Sequence, residues 1–217
     1  MMDIPFTTEQ FFQVITDYNI TFFPVQILIV FLGIICLVLI LSGKSYKDKL
    51  FGSYIGMLWL WIGIMYNLIF FTSINKAAYI FGILFILQGL VVLYETFRGD
   101  KLKFQFKGYI MDYIAYFFLI FAIIIYPILL YFLENSIYTT ITLGLPCPST
   151  IFTFGFFMMT TIKFPKYLLI IPLIWTIIGT SAAFNFGVYP DYMMLMAAVV
   201  AVIYLLRRKN KNATPQT

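Results

Sequence analysis

What most constrains this chain is a succession of apolar runs too long and too sparsely charged to form a water-soluble core. Seven can be marked, at about 21–42, 51–72, 77–97, 109–133, 149–164, 167–186 and 191–206, with short polar or basic breaks between them. Of 217 residues, 62% are hydrophobic and 11% charged, whereas soluble domains run at roughly 45–50% apolar and about 25% charged. The first run covers roughly 33 Å as a helix, enough to cross a bilayer, while the fifth and seventh reach nearer 24 Å. The expected fold class is therefore an all-α membrane protein, a bundle of seven transmembrane helices in one domain over 1–208. The segment 209–217 (KNKNATPQT) reads as a disordered cytoplasmic tail.

Basic residues between the runs set an orientation, because Lys and Arg collect on the cytoplasmic side of a membrane protein. Lys44, Lys47, Lys49, Arg98, Lys101, Lys103, Lys107, Lys163, Lys166, Arg207, Arg208, Lys209 and Lys211 fall on one side, and Lys76 alone falls on the other. The N-terminus is expected outside and the C-terminus in the cytoplasm. Asp3, Glu9 and Asp17 precede the first run with no basic residue among them, unlike a secretory signal, and no cleaved leader is expected. Thr7 and Gln10 have the spacing of a capping box, and Phe11, Val14, Ile15 and Tyr18 recur at helical spacing, so a short interfacial helix should lead in. The net charge of +5 fits a face meeting anionic headgroups; the bilayer is the expected partner, and nucleic acid is not.

Several chemistries are excluded by composition. The chain has no histidine and two cysteines, Cys36 and Cys147, so haem, zinc and imidazole-based triads lack their ligands or base. No metal site or cofactor is expected, and both cysteines should be free thiols. A retinal Schiff base would need a lysine in the last run, which has none.

Within the runs, small and polar residues mark the contacts, since packed apolar side chains gain little over lipid. Gly52, Gly56, Gly63 and Asn67 share one helical face, as do Ala78, Phe81, Phe85, Gln88, Val92 and Glu95. Buried Gln26, Asn67 and Gln88 should bond one another or nearby backbone. Glu95 and Asp112, near Arg98 and Lys107, read as snorkelling ion pairs. Tyr18, Phe22, Phe23, Tyr66, Tyr109, Tyr131, Tyr189 and Tyr192 fall near run ends, as interfacial aromatic belts do. The densest signal is Leu145-Pro146-Cys147-Pro148-Ser149-Thr150. Pro148 suits the first turn of a helix that Ser149 or Thr150 caps, with amides free to hold a carboxylate or phosphate.

Four phrases together resemble a known family: Tyr18-Asn19 with Pro24 and Gln26; Ile74-Asn75 with Ala77-Ala78, Phe81, Phe85 and Gln88; Pro146-Cys147-Pro148-Ser149 with Thr153 and Gly155; and Ile171-Pro172 with Trp175, Gly179 and Asp191. The chain resembles, over nearly its whole length, a bacterial multi-pass membrane family, domain of unknown function 6064. The chain departs from that family's usual pattern at Cys147, and again before Ile74, where Tyr66, Asn67 and Phe71 stand in place of a histidine and an arginine. The resemblance implies an inner-membrane location and no particular activity.

The matching polar residues collect toward the outer half of the bundle: Asn19, Gln26, Asn67, Asn75, Cys147, Ser149, Thr150, Asn185 and Asp191, with Gln88 as floor. They form the candidate site of a protein that binds or transports a small solute through an outward-facing cavity. The alternative is a non-catalytic assembly subunit packing against a membrane partner or a second copy. An enzyme would need a nucleophile–base or acid–base pair at one depth, which the sequence does not assemble.

Overall fold

The computed structural model describes residues 5–42, 47–98, 102–161 and 164–208. Lys44, Lys101, Lys163, Lys209, Lys211, Asp3 and the 209–217 tail lie outside them. Among the described residues there are helices and no strand, and six helical runs are long and apolar enough to cross a membrane: Thr8–Leu39, Lys47–Ser73, Ala78–Phe97, Ile110–Glu134, Lys166–Phe186 and Tyr189–Arg207.

Helix α1 (Thr8–Leu39) opens on the expected capping box, with Thr7 and Gln10 bonding each other's backbone N–H. It joins the expected lead-in helix and first span in one run that kinks at Phe22, where φ and ψ leave the helical region. Pro24 explains the kink, since its ring carries no N–H for the carbonyl of Ile20 and crowds it. At the far end the buried Lys47 amine donates to the carbonyls of Ile40 and Ser42, closing the C-terminus of α1 with a cation.

Helix α2 (Lys47–Trp61) continues as a π-helical segment, Ile62–Phe70, and runs antiparallel to α3 (Ala78–Phe97). The predicted glycine face is their seam. A Cβ on Gly63 would sit 2.9 Å from the Gly82 carbonyl oxygen, and one on Gly82 would sit 3.0 Å from that of Gly63. Gly56 and Gly89 repeat the arrangement one level away, so the backbones touch where side chains would hold them apart.

Helix α4 (Ile110–Ile120) passes through a second π segment, Phe121–Ile125, into α5 (Tyr126–Glu134). Asp112 accepts from the backbone N–H groups of Lys107 and Tyr109, a helix cap where an ion pair with the Lys107 ammonium was expected. Glu95 accepts from the Tyr167 hydroxyl.

Helix α6 (Pro146–Met158) corrects the reading of the fifth run. It begins earlier and ends sooner than 149–164, and its 13 residues give only about 20 Å. Every residue in it except Cys147 is buried, because α2, α4, α7 (Ile170–Phe186) and α8 (Tyr192–Arg207) pack around it. Leu145, not Ser149 or Thr150, is the cap position, and Pro146 opens the first turn. Ser149 instead reaches back, its Oγ accepting from the N–H of Gly144. Gly144 has φ +97, a conformation that favours glycine.

The described basic residues other than Lys76 gather at one end of the bundle. There Asp48 accepts from the Phe104 N–H, Lys103 and Met159 carbonyls accept from Thr161 and Gln105, and Arg208 donates to the Thr160 carbonyl. At the other end Phe6, Phe11, Phe71 and Phe186 stack, joining the start of α1 to the end of α7. The outer surface is apolar: Phe23, Ile27, Phe31, Ile80, Ile83, Phe132, Ile177 and Ile203 are all exposed.

The seam gives a direct test. Gly63→Ala is expected to cost about 1–3 kcal/mol through overpacking, read as a lower melting temperature of the detergent-purified protein. Ile83→Ala, on a side chain 63% exposed, should stay within roughly 0.5 kcal/mol of the parent.

Candidate functional site

The ten sequence-selected residues do not line one cavity; they fall into three groups. The first is Asn19 and Gln26, at the kink of α1. Gln26 donates to Asn19 Oδ1 at 2.7 Å, and Asn19 in turn donates to the carbonyls of Tyr138 and Thr140 at 2.6 and 2.9 Å. Those carbonyls belong to the loop between α5 and α6, so the amide pair ties that loop to α1. Both residues edge a groove of about 970 Å³ between α1 and α5, with walls that are otherwise almost wholly apolar, including Ile27, Phe31, Pro127 and Phe132.

The second group meets local backbone needs. Gln88 donates to the Leu168 carbonyl, Thr150 to Pro146, and Asn185 to Ser181 from an exposed position, while Ser149 accepts from the Gly144 N–H. Asn75 accepts from the N–H of Ala77 in the turn before α3. Asn67, fully buried in the first π segment, donates to the Ile62 carbonyl, and its Oδ1 has no partner. Asn67 and Gln88 thus bond backbone, one of the two expected arrangements, whereas Gln26 bonds the Asn19 side chain, and none of the three bonds another.

The third group is Cys147 with Asp191, and here the fold assembles what sequence reasoning did not. Gly187, at φ +71, ends α7, and the turn Tyr189–Asp191 folds the chain back so that Asp191 enters the bundle, 4% exposed. Its Oδ1 accepts from the Tyr126 hydroxyl. The Cys147 thiol, at the start of α6, lies against the same carboxylate. Tyr66 is buried against Phe71, on which it stacks, and Tyr18, which meets it edge-on. Trp175 completes the wall: the position a Cβ would take on Gly179 is 3.4 Å from its Nε1 and 3.6 Å from Cys147 Sγ. That indole N–H is buried and faces the Cys147 sulfur. Among the described residues no Lys or Arg pairs with Asp191.

This corrects two readings. Tyr18 and Tyr66 are not interfacial belt residues; both are buried, with Tyr18 donating to the Gly144 carbonyl and accepting from the Trp61 indole. The α6 N-terminus has little capacity for an external anion, since Pro146 and Pro148 carry no N–H and the Ser149 N–H bonds the Leu145 carbonyl. The carboxylate beside it is the chain's own Asp191.

Tyr126 and the aim of Tyr66 were missed because both depend on π-helical turns. A π segment adds a residue per turn and rotates everything after it. Tyr66 lies inside the first such segment and Tyr126 follows the second directly. Nothing in the apolar sequences IGIMYNLIF and FAIII distinguishes them from α-helix.

A family model described as a family of unknown function (DUF6064) matches residues 8–215. No curated protein and no solved structure matches the chain.

Asn19 and Asn185 provide a matched pair of variants. Asn19→Ala leaves two loop carbonyls and the Gln26 amide without their partner, an expected loss of about 2–4 kcal/mol. Asn185→Ala, exposed and bonded only within its own helix, should change the melting temperature negligibly.

Proposed function

The chain belongs to DUF6064, a family of unknown function, and we propose that it is a seven-span membrane protein that binds or carries a small solute at the polar cluster of Asp191, Tyr126 and Cys147. The observation that carries this reading is Asp191 itself: a buried carboxylate, inside a bundle with an apolar outer surface, whose neighbours are a hydroxyl and a thiol and no cation. An acid in such a place is costly to fold around, and ionisable groups inside membrane bundles mark solute and ion paths.

The membrane reading is supported by the six long apolar runs and by an exposed surface suited to hydrocarbon. The seventh crossing is α6, too short to face lipid and with no need to, since other helices cover it. Contacts at its start reach Tyr18 and contacts at its end reach Phe104, toward opposite ends of the bundle. The first turns of α1, up to the Phe22 kink, lie in the interface on this reading. Charge bias puts the basic end in the cytoplasm of a bacterial cell and the cluster in the outer half.

The groove between α1 and α5 favours a second role, packing against a membrane partner or another copy, because α1 leaves Ile27 and Phe31 exposed along an apolar trough. The two readings separate at Cys147, which is partly exposed while Cys36 is buried. In intact cells carrying Cys36→Ser, small membrane-impermeant methanethiosulfonates should modify Cys147 from outside. Modification only from the cytoplasmic side would reverse the orientation. Modification only after denaturation would defeat the solute reading and leave the assembly role, for which Ile27→Trp should displace a co-purifying partner.

A further inference from the structure

We infer that the groove between α1 and α5 is a site for a neutral lipid with a hydroxyl-bearing head, the hydroxyl donating to Gln26 and the hydrocarbon chain running along α1 toward Ile34. This inference rests on the membrane reading and is independent of the solute reading of Asp191.

One acceptor at the mouth of the groove is unspent. Asn19 gives both side-chain N–H bonds to the Tyr138 and Thr140 carbonyls, so its Oδ1 must face a donor, and that donor is Gln26 Nε2. The Gln26 amide is thereby fixed in orientation, with Oε1 turned away from Asn19. Gln26 is 7% exposed and lines the groove; its Oε1 accepts from no described group, yet protein does not seal it off. Ile20 lines the same mouth, and Pro24 denies its carbonyl the N–H that a regular helix would supply. The Thr140 and Thr142 hydroxyls, also on the groove, spend their protons on the Ser136 and Leu143 carbonyls. What the mouth asks for is a donor.

The rest of the groove selects the class of donor. No Lys, Arg, Asp or Glu lines it, so a phosphate or ammonium head would find no counter-charge. A partner helix suits the apolar walls but not the acceptor, because its backbone N–H groups are already bonded within the helix. A hydroxyl brings the donor without a charge. Below Gln26 the walls are Ile27, Phe31 and Ile34 on α1 and Pro127 and Ile128 on α5. From Asn19 to Ile34 the helix rises roughly 22 Å, against about 15 Å for the hydrocarbon of one leaflet, so a chain that starts at headgroup level can follow the groove to the midplane. The polar mouth lies by the loop between α5 and α6, away from the basic end, and thus on the outer side by charge bias. A volume of about 970 Å³ stands at the upper end of the range for small-molecule sites, about 300–1,000 Å³.

The probe is a monoacylglycerol with a diazirine on its chain, placed in phosphatidylcholine vesicles that hold the full chain; after irradiation the labelled residues are located by mass spectrometry. Label should concentrate on residues 27–34 and 127–132, well above the lipid-facing Ile80, Ile83 and Ile203. Monooleoylglycerol should compete it away at roughly one-fifth the concentration of methyl oleate, which has the same chain and no hydroxyl, the ratio expected of one neutral hydrogen bond. Gln26→Leu should erase the difference between the two competitors. Ile27→Trp, at a groove side chain 55% exposed, leaves the amide pair intact and should cut the groove label itself, which keeps the test decisive if Gln26→Leu does not fold. Label spread evenly over the lipid-facing helices, or methyl oleate competing as well as monooleoylglycerol, would overturn the inference. Cross-linking of two chains through Ile27→Cys, with no lipid label in the groove, would overturn it in favour of a second copy. Cys147 takes no part in the labelling, so each of these failures leaves the reading of Asp191 standing, and an unreactive Cys147 leaves the lipid site standing.

Discussion

On the proposed membrane reading, every polar group inside this bundle must find its partner within the chain, because hydrocarbon offers none. That constraint shapes the structure more than apolar burial does. The turn before α6 shows how. Gly144 turns the backbone, Ser149 takes its N–H, and Tyr18 donates to its carbonyl while accepting from Trp61. Nearby, Asn19 takes up the carbonyls of Tyr138 and Thr140. The bonds from Tyr18 and Asn19 to this segment reach across more than a hundred residues, and without them an irregular segment could not lie inside the bundle. The central position of α6 follows from them: once its approach is satisfied internally, a helix of 13 residues can be fully enclosed, with Trp59 donating to Thr153 at its middle.

The same constraint explains why backbone contact replaces side-chain contact between α2 and α3. Where lipid is as apolar as leucine, helices gain by approaching closely, and glycines at Gly56, Gly63, Gly82 and Gly89 permit it. The π segments are the counterweight. Ile62–Phe70 departs from α-helical bonding within that seam, and Asn67 donates its side-chain amide to the Ile62 carbonyl there. A helix that must keep Gly63 against Gly82 and still turn Tyr66 toward Tyr18 cannot satisfy both with 3.6 residues per turn. The π turns supply the difference.

Much of this was legible in the sequence, for physical reasons that also mark where legibility ends. Apolar runs, the Thr7–Gln10 box and the face of Gly52, Gly56 and Gly63 depend on composition and local spacing, and six of the seven runs, the box and those glycine contacts appear in the structure. The fifth run was misjudged because hydropathy measures how apolar a segment is and not what surrounds it; a helix buried by protein and one facing lipid read alike. Ser149 was assigned as a cap because its residue type suits one, whereas the cap lies at Leu145 and Ser149 serves Gly144. Asp191 and Cys147 were each selected, yet their contact was not, since 44 residues and the whole of α7 separate them. Tyr126 carried no signal at all.

Asp191 is the point where the governing constraint is hardest to meet. Most buried polar atoms are matched: Gln88 to Leu168, Asn19 to two carbonyls, Lys47 to the end of α1; the Asn67 Oδ1 and the Thr180 Oγ1 are not. Asp191 faces the Tyr126 hydroxyl and the Cys147 thiol, and no described Lys or Arg pairs with it. A buried carboxylate whose charge is unmatched costs more than the about 1–3 kcal/mol of a neutral unpaired donor. Tyr126, Cys147 and Asp191 come from three separate segments, so no single local distortion accounts for their meeting. An apolar side chain at position 191 would avoid that cost, and the carboxylate that stands there instead is the reason to read this bundle as more than a packing unit.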